Sequence, residues 1–281
     1  MFTFFALFNS FYKTKFYMEE KTLFDSVYPR YILGLDVSTA CIGVCVLKDV
    51  GDDKPEILYL SHKTPKIPKK IKGIEALFLR KNIFEEEFVK DIATAYSITD
   101  VVIEEPLISS NNANTVATLL RFNGMIAECI YRILGIVPNF ISSYDARTFS
   151  FPQLVSVRKY DKKGREYPLK HINDVLKHDK IVLFGSYPFD VDKKLVMMNM
   201  VDEMYGNIPW VLNAKGELKK ENYDACDALV CALAYVNINH HGMDSPTISE
   251  YKVTEKEDGG TEIKYSTKIW DRTYEKTLTL K

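Results

Sequence analysis

Four acidic residues set into apolar surroundings carry the chemistry that this chain could perform. Asp36 lies in Tyr31-Ile-Leu-Gly-Leu-Asp-Val-Ser-Thr39, and Glu104 closes Asp100-Val-Val-Ile-Glu-Glu-Pro106. Asp224 and Asp227 open Tyr223-Asp-Ala-Cys-Asp-Ala-Leu-Val-Cys-Ala-Leu-Ala-Tyr235. A buried carboxylate without a partner is costly, so a fold that holds several must pair them or supply a cation. Asp and Glu offer the hard oxygen ligands that Mg²⁺ takes. Two such ions about 3.5–4 Å apart can activate water and relieve charge at a phosphorus, which is the chemistry of phosphodiester hydrolysis.

These side chains converge only if their elements aim them together. Asp36 follows Ile32 and Gly34 at period two, so the three share one face of a strand. Glu104 and Glu105 are adjacent, so only one of them points to that face, and alternation alone does not choose. Asp224 and Asp227 are three apart on a helix and share a side, and the residues from Ala225 to Val236 are nearly all apolar, marking a buried helix. Blander roles compete: Asp36 as a cap on the turn at Ser38 and Thr39, and Asp224 as a helix N-cap.

The surrounding pattern is α/β. Runs 31–37 and 42–48 read as a hairpin turning at 38–41, with a third strand at 57–61. A basic linker with Lys63, Lys66, Lys69, Lys70 and Lys72 follows, broken by Pro65 and Pro68. Ile74, Leu77, Phe78, Phe84, Phe88 and Ile92 predict a helix over about 71–96. A short buried strand spans 101–104. Asn111 or Asn112 caps the next helix, whose stripe is Val116, Leu119, Leu120, Ile126, Ile130 and Ile133, and a fifth strand covers 137–142. After an interruption at 151–190, helices return near 192–205 and 222–238, and alternation over 249–270 around Gly259 and Gly260 predicts a β-hairpin.

The segments and their order resemble the RuvC-type Holliday junction resolvases of the ribonuclease H-like superfamily: a strand with Asp and a Ser/Thr turn, a strand ending in Glu, a long helix, then Asp-x-x-Asp-Ala-Leu on a last helix. The resemblance covers roughly 31–145 and 190–238. It implies a ribonuclease H-like fold, a five-stranded mixed sheet flanked by helices, as a nuclease domain over 31–240. An N-terminal extension (1–30), an insertion (151–190) and a tail with the hairpin (241–281) surround it. It also implies a site of Asp36, Glu104, Asp224 and Asp227 holding two Mg²⁺ ions, with Mn²⁺ as substitute, and selects Glu104 over Glu105. The resemblance further implies a functional lysine at the start of the helix near 192–205, and counting back from Met200 and Val201 selects Lys194 rather than Lys193. The implied substrate is branched DNA and the implied assembly a homodimer, with Phe122, Met125 and Tyr131 lending the 112–134 helix apolar surface beyond its core stripe. Lys69, Lys70, Lys72, Arg121, Lys162 and Lys163 are the candidate phosphate contacts. After the strand-ending Glu, the best-known members carry an aromatic wedge where this chain has Leu107 and Ile108. Leu107 is the candidate DNA contact there, and the preferred substrate widens to other branched or flap DNA.

Composition fits this reading. The chain has 281 residues, 46% hydrophobic and 27% charged, an ordinary globular balance. Net charge is −1, so binding to nucleic acid would rest on local basic patches. The five cysteines match no zinc or disulfide spacing and read as reduced core residues of a cytoplasmic protein. No run approaches ~20 apolar residues, so no membrane span is expected. Richness in Lys, Ile, Asn, Tyr and Phe points to an AT-rich genome such as a phage. Two other classes compete. One is a catalytically silent ribonuclease H-like scaffold or DNA-binding subunit, which the retention of all four acids opposes. The other is a sugar-kinase or actin-type phosphotransferase, whose first phosphate loop Gly34–Thr39 resembles and whose second would have to be Asp258–Thr261.

Overall fold

The computed structural model describes residues 29–52, 54–106, 112–151, 193–206, 208–242, 248–257, 261–269 and 272–280. Strands β1 (Arg30–Val37), β2 (Ile42–Asp49), β3 (Glu56–Lys63), β4 (Asp100–Glu104) and β5 (Asn139–Ile141) form one sheet in the order β3-β2-β1-β4-β5. Strand β2 pairs antiparallel with both β1 and β3, whereas β4 pairs parallel with both β1 and β5. This mixed order is the ribonuclease H-like arrangement. The turn between β1 and β2 closes on Ser38 itself: its hydroxyl donates to the Cys41 carbonyl at 2.7 Å and accepts from the Cys41 N–H at 3.0 Å. That leaves Asp36 with no capping task there.

Alternation along the strands divides the interior into two layers. Leu33, Leu35, Val37, Val44, Val46, Val101 and Ile103 face α1 (Gly73–Phe84), α2 (Lys90–Ala95) and α3 (Ala113–Leu134). Ile32, Cys45, Leu47 and Val102 face α4 (Ser143–Ser150), α5 (Lys193–Tyr205) and α6 (Glu221–Asn239). Because α6 is apolar all round, it must be buried, and it lies directly on β1 and β2. Glycines permit this approach. A β-carbon at Gly34 would collide with the Ala228 carbonyl and the Ala232 methyl, and one at Gly43 with the main chain of Asp224. At its other end, α6 is held by polar groups: Tyr235 donates to Asp100 at 2.9 Å, and His240 Nδ1 lies 2.7 Å from Asp49 Oδ2. Burial alone would raise the Asp49 carboxyl, but hydrogen bonds from His240, His241 and the Gly51 N–H hold it well below the usual range.

Some expectations are corrected. The helix expected over 71–96 is interrupted by a π-helical turn at Glu85–Val89, where Glu85 meets Lys81 Nζ at 2.7 Å and Arg132 Nη2 at 2.6 Å. These hydrogen bonds, Arg132 first, hold the Glu85 carboxyl down at about 2. Leu77, Phe84, Phe88 and Ile92 are buried as the periodicity requires, yet Ile74 and Phe78 are half exposed. They lie about 60° and 100° round the helix from Leu77, on its flank. On α3, Phe122 is buried and Leu120 exposed, the reverse of the stripe assignment. Asn112 caps α3 by accepting from the N–H groups of Asn114 and Thr115. Helix α4 was not expected; Ser142 caps it by accepting from the Asp145 N–H at 3.1 Å. The tail forms not a hairpin but a three-stranded antiparallel sheet of β6 (Ile248–Glu255), β7 (Thr261–Ile269) and β8 (Arg272–Leu280). Its third strand lies beyond the alternation that the sequence displays. The 151–190 insertion, with Lys162 and Lys163, lies outside the described residues except Phe151, which is buried in the α6 layer.

Candidate metal centre

The site begins with strand parity. Asp36 continues the Ile32 and Gly34 face of β1, and Glu104 continues the Val102 face of β4, so both reach the α6 side of the sheet at the carboxyl ends of neighbouring parallel strands. Glu105 takes the opposite parity, is exposed, and gives its N–H to the Ile141 carbonyl. Asp227 descends from the second turn of α6. Carboxylate oxygens of Asp36, Glu104 and Asp227 all lie within 4.8 Å of one another. Three acids from three elements thus meet at one point.

Asp224 stands one turn earlier on α6, outside that tight group but near enough to act on its charges. It is not the N-cap, a position that Lys220 occupies. Asp224 also accepts the Cys41 thiol, and burial first and this acid second push Cys41 up to about 12. All five cysteines are free and buried, as expected.

The electrostatics show what the cluster lacks. Burial raises the Asp36 carboxyl well above its usual range, and Glu104, Asp227 and Asp224 push it further, while Lys194 opposes. Burial and then Asp227 lift Glu104 to about 7. Asp227, only 6% exposed, is raised by burial against the pull of Arg147 and Lys194. Lys194 Nζ and Arg147 Nη2 each lie 3.7 Å from Asp227. Four carboxylates against these two cations leave a deficit of positive charge within an apolar layer. A divalent cation fits that deficit and the all-oxygen donor set.

Arg147 is a site residue that sequence reasoning missed. It rides on α4, immediately after β5, and the one local signal was the Ser142-x-x-Asp145 capping pattern that starts this helix. Lys194 lies at the start of α5, with its ammonium 5.4 Å from the Tyr223 ring centroid. The remaining expected residues do not join the centre. Lys69, Lys70 and Lys72 are exposed between β3 and α1, and Arg121 is exposed on α3. Leu107, Lys162 and Lys163 lie outside the described residues, as do residues 258–260 of the second phosphate-loop candidate.

No protein-family model matches the chain, and no curated protein does. Among solved structures it is similar to Thermus thermophilus RuvC in complex with a Holliday junction substrate, at 14% identity and TM-score 0.47, covering 76% of this chain and 96% of that one. It is similar to the yeast mitochondrial Holliday junction resolvase Ydc2 at 12% identity and TM-score 0.43, covering 80% and 86%. An Aquifex aeolicus Ppx/GppA family member follows at 10% identity and TM-score 0.32, covering 76% and 92%. Likenesses this distant leave the fold assignment resting on sheet order and strand direction. Among the described residues, no helix is long and apolar enough to cross a membrane.

Proposed function

We propose that this protein is a divalent-metal-dependent endonuclease that hydrolyses phosphodiester bonds in branched DNA, Holliday junctions among them. The observation that carries the reading is the meeting of Asp36, Glu104 and Asp227 within 4.8 Å at the carboxyl ends of β1 and β4 and on the face of α6. Asp36, Glu104 and Asp227 would hold the ions, with Asp224 completing the set. Mg²⁺ is the expected ion and Mn²⁺ its substitute. When bound, such ions supply Lewis acidity and charge for the hydrolysis. The chain's own residues do the rest. Strands and a buried helix fix the carboxylates before any ligand arrives, Lys194 and Arg147 place positive charge beside Asp227, and the apolar layer around them strengthens each interaction. The exposed lysines 69, 70 and 72 would position the phosphate backbone without reading sequence. We assign a homodimer, paired through the outer face of α3, so that two centres can act on opposite strands of a junction.

The test is a cleavage assay on four-way junction, flap, duplex and RNA–DNA hybrid with Mg²⁺, Mn²⁺ or EDTA. Branched DNA should be cut only with metal, and Asp36→Asn should lower the rate by at least a thousandfold (on the order of 4 kcal/mol) while leaving junction binding intact. Cutting by Asp36→Asn at the wild-type rate would refute the site. Metal-dependent cutting of duplex and branched DNA alike would refute the substrate class.

A further inference from the structure

A cavity of about 430 Å³ opens between β3, the edge strand of the sheet among the described residues, and the segment that follows α5. Ile57, Leu60 and His62 of β3 line one side, and Tyr205 and Trp210 the other, while the Tyr59 ring turns to Phe88 in the opposite layer. Resting on the nuclease reading, we propose that this cavity is a nucleobase subsite, which receives one unpaired base of the DNA strand lying across the metal centre.

Position is the first argument. Asp36 pairs with Gly43 across the β1–β2 ladder, and Gly43 pairs with His62 across the β2–β3 ladder. Adjacent strands lie about 4.8 Å apart, which sets the backbone of His62 roughly 10 Å from that of Asp36. Asn222 and Ala225, which flank Asp224, also line the cavity. The His62 end of the cavity therefore lies within about one or two nucleotides of a phosphate held at the carboxylates.

The walls suit a base. The volume falls at the small end of ligand pockets, too small for a helix or a duplex. Aromatic rings accept a base by stacking without reading its identity. The wall is also built in advance. Trp210 Nε1 donates to both carboxylate oxygens of Asp202 at 3.0 Å, which fixes the indole plane. Asn222 accepts from the Val211 N–H at 3.0 Å and donates to the Val211 carbonyl at 2.8 Å, tying the same segment to α6. At the end of β3 away from the metal centre, Lys54 stands over the Tyr205 ring at 5.1 Å and donates to the Met204 carbonyl at 3.0 Å, which helps to hold that ring in the wall. A base also explains why an apolar cavity borders a polar metal centre.

The experiment uses the full chain with Asp36→Asn, expected to bind without cutting, and junction DNAs carrying a single abasic site moved one nucleotide at a time along the strand that wild type cuts. The probe is DNA binding by fluorescence anisotropy. Loss of one stacked base should weaken binding roughly 5- to 150-fold. We expect that loss at a single position within two nucleotides of the cut and no loss elsewhere. Adding Trp210→Leu should bring the penalty to within two-fold, with Leu60→Trp, which fills the cavity from β3, as the alternative if the first variant unfolds. A flat abasic scan overturns the proposal and leaves the cavity to another occupant, such as a second protein chain. A position-specific penalty unchanged in both cavity variants places the base elsewhere and overturns it equally. Failure of wild type to cut any DNA counts against the nuclease reading alone, because the scan, then run along every strand, reads binding only.

Discussion

The carboxylates of Asp36, Glu104 and Asp227 oppose one another's ionisation, and this sets how the metal-free protein responds to pH. Burial raises all three; neighbouring acids add to the rise of Asp36 and of Glu104, the latter from 4.5 to about 7, whereas Arg147 and Lys194 oppose the rise of Asp227. A carboxyl whose folded value exceeds its unfolded value binds its proton more tightly when folded. Its stabilisation is complete below the unfolded value and is lost as pH rises through the folded one. For Glu104 alone the loss is on the order of 3 kcal/mol between about pH 4.5 and pH 7. In EDTA the Tm should therefore fall by several degrees from pH 5.5 to pH 8. Asp36→Asn, which removes one of the opposing charges, should flatten that fall, and millimolar Mg²⁺ should reverse it at pH 8. Calorimetry at both pH values reads all three effects, and an EDTA profile identical in wild type and Asp36→Asn would show that the acids do not share a field. Asp49 acts in a different window, since its lowered value contributes stability that disappears only in strong acid.

Among the elements, α6 sets the geometry of the centre, and two glycines set the position of α6. Gly43→Ala forces a methyl group into the Asp224 main chain, so the first turn of α6 must lift from the sheet and carry Asp224 and Asp227 with it. Gly34→Ala collides one to two turns deeper, at Ala228 and Ala232, beyond the acids. Overpacking of this kind costs about 1–3 kcal/mol, so both should lower the Tm. Gly43→Ala should in addition cut the cleavage rate at saturating Mg²⁺ at least tenfold more than Gly34→Ala; equal losses would mean that the helix moves as a rigid whole. The glycines also show what was legible in the sequence. Period-two alternation placed Asp36 on the Gly34 face, and the i, i+3 spacing joined Asp224 to Asp227, so the strands, the long helices and the acids could be read directly. Alternation could not say which of Glu104 and Glu105 faces inward; pairing of β4 between β1 and β5 settles that. Arg147 escaped because α4 is a short helix whose apolar face becomes visible only once α6 covers it. The third strand of the tail sheet escaped because Arg272–Leu280 mixes charged, polar and apolar residues without a clean alternation. Phe122 and Leu120 exchanged roles because neighbours on a helix differ by about 100° per residue, and a stripe read from sequence does not say where the sheet lies beneath it.

For the molecule as a whole, a net charge of −1 provides no global attraction to DNA, so the proposed function needs local cations and the proposed dimer to supply affinity. Each phosphate contact on duplex DNA contributes about 0.9 to the slope of log K against log salt. Lys69→Ala with Lys70→Ala should flatten the slope for junction binding by nearly two such units while leaving the Tm unchanged, since both side chains are exposed. An unaltered slope would return these lysines to the role of a solvated loop. The proposed dimer would pair through α3. With Phe122 committed to the core, the surface left outside is Leu120 and Tyr131, 46% and 56% exposed, with the open Gly124 between them. Residues 120, 124 and 131 fall within about 40° of one another round the helix. Large side chains with a small one between them let a second copy of the helix approach closely, the same patch serving both partners about a two-fold axis. Light scattering at micromolar concentration should give twice the 32.3 kDa chain mass, and Leu120→Lys with Tyr131→Lys should halve it without lowering the Tm. In the monomeric variant the two cuts on a junction should become independent events separated in time, whereas the dimer should make them within one binding event. A wild-type mass of 32.3 kDa both with and without junction DNA would remove the dimer, and with it the reason to expect paired cuts.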